Sequence, residues 1–206
     1  IKEDNEIIKD NQVKINNDDM KFDVVIGNPP YQAKDGGAGA SAKPIYNFFV
    51  EKSQELEPQY ISMIIPTRWF SGGKGLDDFR DKMLNDPHIS ELHDFLNPKV
   101  LFQDTNNRGG ICFFLWNKEF NAQEEFPTIY TYKEENNPII DHRNLKNGDS
   151  EIFIRHSAAI DIIKKIKEDE RFQKLSDVAL INVGITTGNN KYFSISSEVV
   201  KKYELQ

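Results

Sequence analysis

Cysteine is nearly absent from this chain. A single residue, Cys112, sits in an apolar run and excludes both a disulfide framework and a cysteine zinc cluster. It reads as a small core residue rather than a nucleophile. No stretch is apolar over the length a membrane span requires, and no signal peptide opens the chain, so a soluble, cytoplasmic protein without a membrane partner is expected. A basic excess is also missing: 26 Lys and Arg stand against 33 Asp and Glu, for a formal net charge of −7. Proteins that grip duplex nucleic acid usually carry a basic face, so weak binding is expected of this chain by itself. Total charge leaves the distribution open. The four histidines, His88, His93, His142 and His156, show no metal-ligand spacing, and no metal site is expected.

What is present suffices for a packed core. Across 206 residues, 38% are hydrophobic and 11% aromatic, enough for one domain and part of a second. The most informative segment is residues 22–32, Phe-Asp-Val-Val-Ile-Gly-Asn-Pro-Pro-Tyr-Gln. A short apolar strand, Val24 to Ile26, runs through Gly27 into the turn Asn28-Pro29-Pro30-Tyr31. Two prolines fix successive φ angles, and the residue before each is held extended. The main-chain carbonyls near Pro29 therefore have fixed directions, with no proline amide hydrogen to compete. Asn28 adds an amide oxygen and Tyr31 a flat ring. An exocyclic amine needs this set: two acceptors for its two N–H bonds and an aromatic plane for its ring. Polarised so, its lone pair can attack an activated methyl without a general base. The plain alternative, a Pro-Pro turn closing a strand, requires neither the preceding Asn nor the following aromatic.

This segment resembles the catalytic motif of amino-methylating, S-adenosylmethionine-dependent DNA methyltransferases, with a match at all four positions from Asn28 to Tyr31. The stretch from Phe22 to about Trp116 resembles the Eco57I-like adenine-N6 methylases of restriction-modification systems. That resemblance implies catalytic roles for Asn28, Pro29 and Tyr31. The Asn28 side chain and the Pro29 carbonyl would accept from the adenine N6 amine, and Tyr31 would stack on a flipped base. It implies substrate contacts at Pro30 and at Phe102, whose ring would cover the other face of the base. An ordinary core phenylalanine is the alternative for Phe102. Cofactor contact is implied for Asp10, at the end of a strand read at Ile7–Asn11; a solvated surface aspartate is the alternative.

The fold expected is α/β, a partial Rossmann-like class I methyltransferase sheet made of the later strands with an antiparallel edge hairpin, followed by the start of a target-recognition region. A glycine-rich phosphate loop normally sits on the first strand of such a sheet, and none lies upstream of Phe22. The chain is therefore expected to be a piece of a longer methylase, without the main S-adenosylmethionine-binding motif. Gly36-Gly37-Ala38-Gly39 reads as a loop able to close over a base. Gly72-Gly73-Lys74-Gly75 lacks the Ser or Thr that a Walker loop needs after Lys.

Further along, a helix beginning near Pro44 places Ile45, Phe48, Phe49 and Leu56 on one face and stops at Pro58. Tyr60–Ile65 reads as a buried parallel strand leading into Pro66-Thr67-Arg68-Trp69-Phe70. Arg68 is in a position to reach a phosphate, while Trp69 and Phe70 read as core. A helix at 76–84 and strands at 89–95 and 109–116 follow, with a further edge strand at 126–132. The domains expected are a catalytic part over 1–133, a linker over 134–156 and a target-recognition region from 157. Within that last region, 157–170 reads as an amphipathic helix.

Double-stranded DNA is the expected partner, together with the rest of the methylase or a restriction subunit. Protein-glutamine or RNA methylation, cytosine-N4 as target, and a non-catalytic DNA-binding remnant are the other readings left open.

Overall fold

A computed structural model describes residues 8–9, 12–13, 21–33, 43–72, 75–103, 109–134 and 136–180. Its centre is a six-stranded mixed sheet. In chain order the elements are β1 (Ile8–Lys9), β2 (Gln12–Val13), β3 (Val24–Gly27), α1 (Tyr46–Glu55), β4 (Tyr60–Pro66), α2 (Asp77–Asn85), β5 (Ile89–Phe95), β6 (Ile111–Asn117), β7 (Thr128–Tyr132), β8 (Ile139–His142), α3 (Ser157–Glu168) and α4 (Leu175–Val178). The spatial order is β3-β4-β6-β5-β7-β8. Strand β3 runs parallel to β4, and β6 lies antiparallel between β4 and β5. The expected antiparallel hairpin is thus present as β5 and β6. It is interior rather than at the edge, because β7 pairs with β5 and β8 closes that side. Strand β4, expected to be parallel, is parallel on one side only.

Alternation along the strands separates two faces. Ile61, Met63 and Ile65 of β4, Cys112, Phe114 and Trp116 of β6, and Leu92 of β5 are buried with Phe79 and Met83 of α2 in one core. The opposite face carries a ladder of rings. Phe113, His93 and Tyr130 stand side by side on three neighbouring strands, with centroids 4.1 and 4.2 Å apart. Burial depresses the His93 pKa, and hydrogen bonding and charge from Glu91 oppose that shift only partly.

Helix α1 buries a different face from the one its apolar residues suggest. Tyr46, Asn47, Val50 and Ser53 point into the core, while Phe48 and Phe49 are only half-buried. Ser53 is accommodated because its hydroxyl donates to the Phe49 carbonyl at 2.8 Å. The helix ends where Glu57 adopts a left-handed φ of 50° ahead of Pro58.

Residues 134–156, read from sequence as a linker, are joined to the sheet. They supply β8, and Leu145, Phe153 and Ile154 are buried. Turn-rich composition suggested a spacer; the few apolar residues within it found a place on the core. Strands β1 and β2 form a separate two-stranded sheet. Among the described residues of the strand read at Ile7–Asn11, Ile8 and Lys9 pair with β2 and not with β3, and Asp10 itself lies outside the described residues.

Candidate active site

All strands parallel to β3 end on one rim of the sheet. Gly27, Pro66 and Phe95 close β3, β4 and β5 there, and β6 begins there at Ile111. Ligands in open α/β sheets bind at the carboxyl ends of parallel strands. Along this rim the chain places Asn28–Tyr31, the 3₁₀ turn Thr67–Phe70, the segment 96–102 and the Gly109-Gly110 pair.

The Asn28 turn is held at its base. Asp23 anchors the start of β3 by accepting from the amides of Gln59 and Tyr60 at 2.8 and 2.9 Å. Beyond the turn, Tyr31 O accepts from Ile45 N at 3.3 Å, and Ala33 N donates to Lys43 O at 3.0 Å. Gln32 and Pro44 face each other in an antiparallel bridge. Residues 34–42, including Gly36-Gly37-Ala38-Gly39, lie outside the described residues. Within the turn, Pro29 is buried while Asn28 and Pro30 are exposed. A buried proline gives the turn a fixed footing beside the exposed Asn28.

Tyr31 is half-buried, with its hydroxyl inside and lacking a hydrogen bond of good geometry. Burial pushes its pKa up, the nearby Cys112 adds to the shift, and Asn28 opposes it. The Asn28 and Tyr31 side chains are therefore neighbours, although the hydroxyl is not satisfied by the amide. Cys112 is itself fully buried, and burial pushes its thiol well above the ordinary range, which leaves it inert.

Phe102 is 37% exposed and follows β5 on the same rim, with its amide donating to Pro98 O at 3.0 Å. Strands β4 and β6 separate β5 from β3, so the two rings rise from positions about 14 Å apart across the sheet. Among the described residues Phe102 and Tyr31 make no ring contact. Trp69 and Phe70 are core residues as expected, and Arg68 just before them is exposed.

The Gly72 amide is spent within the chain, and residues 73 and 74 lie outside the described residues. That amide donates to Arg68 O at 2.8 Å, and the Gly72 carbonyl accepts from Arg80 Nη1 at 2.8 Å. Arg80 also pairs with Asp77 and donates to Glu151 O at 2.8 Å, tying the loop to α2.

Sequence reasoning missed one rim residue altogether. Arg155 reaches from beyond β8 to Asp94, which is wholly buried. The Arg155 Nε atom lies 2.9 Å from Oδ2 but off the hydrogen-bond direction, while Nη2 donates to Oδ1 at 3.2 Å and to Gly109 O at 2.6 Å. Burial raises the Asp94 pKa to about 6 despite the opposing Arg155 charge. A polar residue at an inward position of β5 was the available signal.

Two family models match the chain. The Eco57I restriction-modification methylase model matches residues 1–102, and that of the C-terminal domain of the type II methyltransferase M.Eco57I matches residues 150–206. An uncharacterized adenine-specific methylase of Mycoplasma pneumoniae is 36% identical over 165 residues, covering 76% of this chain. The chain belongs to the Eco57I restriction-modification methylase family. A second relative in that group is the type II restriction enzyme and methyltransferase RM.Eco57I of Escherichia coli. It is 24% identical over 199 residues and covers 84% of this chain. The chain spans 39% of the length of the first relative and 19% of the second. Among solved structures, the methyltransferase subunit of a type I restriction-modification system from Streptococcus thermophilus aligns with 75% of this chain and 34% of its own. That alignment has 16% identity and a TM-score of 0.40.

The α/β fold with a methyltransferase-like sheet, expected from sequence, is consistent with this family membership and with the observed strand order. The family implies S-adenosylmethionine as methyl donor. The described residues meet that group only in part. Asn28 offers polar atoms at the rim, but the outer edge of β3 has no partner strand among the described residues, and Ile26 there is 76% exposed.

Proposed function

We propose that the protein methylates the N6 amine of adenine in double-stranded DNA as part of a restriction-modification system. The observation that carries this reading is the exposed Asn28 beside a buried Pro29, at the carboxyl end of a parallel strand. The bound cofactor supplies an electrophilic methyl group. The chain's own residues hold the acceptor. Asn28 Oδ1 and the Pro29 carbonyl accept the two N–H bonds of the amine, which keeps its lone pair on the free side. Tyr31 stacks on the extruded ring and Pro30 borders it. Stacking contributes about 1–3 kcal/mol per aromatic contact, which offsets the few kcal/mol that extrusion costs.

The open edge of β3 supports a cofactor site completed by polypeptide that the longer relatives carry; Asp10 remains the cofactor contact that the family resemblance implies. Residues 1–133 form the catalytic part in this reading. The target-recognition region starts near 157, within the segment matched by the C-terminal-domain model. DNA and the remaining methylase or restriction polypeptide are the partners.

Transfer of labelled methyl from S-adenosylmethionine to duplex DNA, followed by nucleoside chromatography, tests the reading. N6-methyladenine is the expected product. Label appearing only in N4-methylcytosine, in RNA or in protein would refute the assignment of the acceptor.

A further inference from the structure

A cavity of about 450 Å³ opens on the same rim, lined by residues that include Thr67, Arg68, Ser71, Gly72, Gly109 and Arg155. We propose that it binds a backbone phosphate of the DNA flanking the target nucleotide, through the guanidinium groups of Arg68 and Arg155. This inference rests on the DNA-methylase reading and adds a contact which that reading does not assign.

The walls of the cavity are fixed by hydrogen bonds. Thr67 Oγ1 donates to Gly109 O at 2.6 Å, Thr67 N donates to Gly110 O at 3.2 Å, and Phe153 N donates to Phe70 O at 2.8 Å. Arg155 is held from two sides, by Asp94 and by the Gly109 carbonyl, with its guanidinium 5.0 Å from the centre of the Phe70 ring. Those bonds occupy Nη2 and orient Nε. Nη1 has no hydrogen bond among the described residues, so one donor edge is preset and unspent. Arg68 is exposed and has no hydrogen bond or ion pair among the described residues. An alanine at Gly72 would put its Cβ 2.9 Å from Arg68 Cγ, so the glycine lets the Arg68 stem lie across the turn.

The charge balance selects an anion. Among the described residues, Asp94 offsets Arg155, no carboxylate lines the cavity, and the Arg68 charge is uncompensated. Arginine forks match phosphate oxygens, and such contacts position a duplex without reading its sequence. Distance selects the source. Gly27 pairs with Met63, so Thr67 stands one strand across from Asn28 and about 10 Å higher, close to three duplex rises of ~3.4 Å. In the proposed complex a phosphate of the strand that carries the extruded base would occupy that position.

The test is fluorescence anisotropy of the full 206-residue chain with a labelled duplex, over a series of salt concentrations. Variants Arg68→Ala, Arg68→Lys and Ser71→Glu are compared with Lys118→Ala, an exposed control of equal charge change on the opposite rim. Arg68→Ala and Ser71→Glu should each weaken binding on the order of five- to tenfold. Each should also lower the slope of log K against log salt by about 0.9, the value for one lost phosphate contact. Arg68→Lys should keep the slope, and Lys118→Ala should leave both quantities unchanged. An Arg68→Ala slope equal to wild type, or an equal loss in Lys118→Ala, overturns the phosphate site while leaving the methylase reading intact. No binding by the wild-type chain even at low salt would overturn the DNA reading itself, and the site with it.

Discussion

Asp94 and Arg155 lie 61 residues apart in sequence and 2.9 Å apart in space, the carboxylate fully buried and the guanidinium partly open to solvent. The pair fastens the segment after β8 to the middle of the sheet, beside the rim that carries Asn28. Its consequences are measurable in several ways.

Removing the cation strands a buried carboxylate. Arg155→Ala should cost about 3 kcal/mol in urea denaturation, the lower end for breaking a buried pair because Arg155 keeps some exposure. It should also loosen residues 143–155, seen as faster amide exchange there. A loss below about 0.5 kcal/mol would mean the pair does not anchor the segment.

Stability should depend on pH through the same carboxyl. Its folded pKa is raised to about 6 from 3.8, so the folded state keeps its proton to higher pH than the unfolded chain. The contribution is therefore fully present below about pH 4 and is lost as pH rises through 6. Melting temperatures of Asp94→Asn should lack this fall between pH 4 and 6, relative to wild type. Parallel profiles for the two proteins would contradict the assignment.

Tyr31 and Asn28 should separate structure from function. The buried Tyr31 hydroxyl has no satisfactory partner, so Tyr31→Phe should leave stability unchanged or raise it by up to about 1 kcal/mol. Asn28 is exposed, and Asn28→Ala should shift stability by less than about 0.5 kcal/mol. In a methylation-competent protein, Asn28→Ala should reduce methyl transfer by about 100-fold or more, the scale for losing an acceptor active in the transition state. Wild-type turnover in that variant would exclude Asn28 from the chemistry.

Gly110 sets the start of β6. Its φ is +103°, and an added Cβ would lie 2.5 Å from Phe95 O. Gly110→Ala should cost about 2 kcal/mol or more and should reduce the protection of the Ile111 amide in hydrogen exchange. Unchanged denaturation would show that the β5–β6 connection tolerates another path.

The exposed edge of β3 carries Val24 and Ile26, and unpaired apolar edges associate. The 206-residue chain should self-associate at tens of micromolar in sedimentation velocity, and Ile26→Lys should shift it towards monomer. Identical profiles for both would place association elsewhere.

What the sequence determined by itself was local. The Asn28-Pro29-Pro30-Tyr31 turn follows from proline torsions, and the strands and helices follow from residue periodicity, signals that act over a few residues. Their order along the chain also indicated the α/β sheet and its antiparallel strand. Tertiary structure decided the rest. It chose Tyr46, Val50 and Ser53 over Phe48 and Phe49 as the core face of α1, and it turned residues 143–155 from a spacer into part of the core. It also brought Arg155 to Asp94. An ion pair of that kind depends on burial and on which segments meet in space, and no short stretch of sequence encodes either.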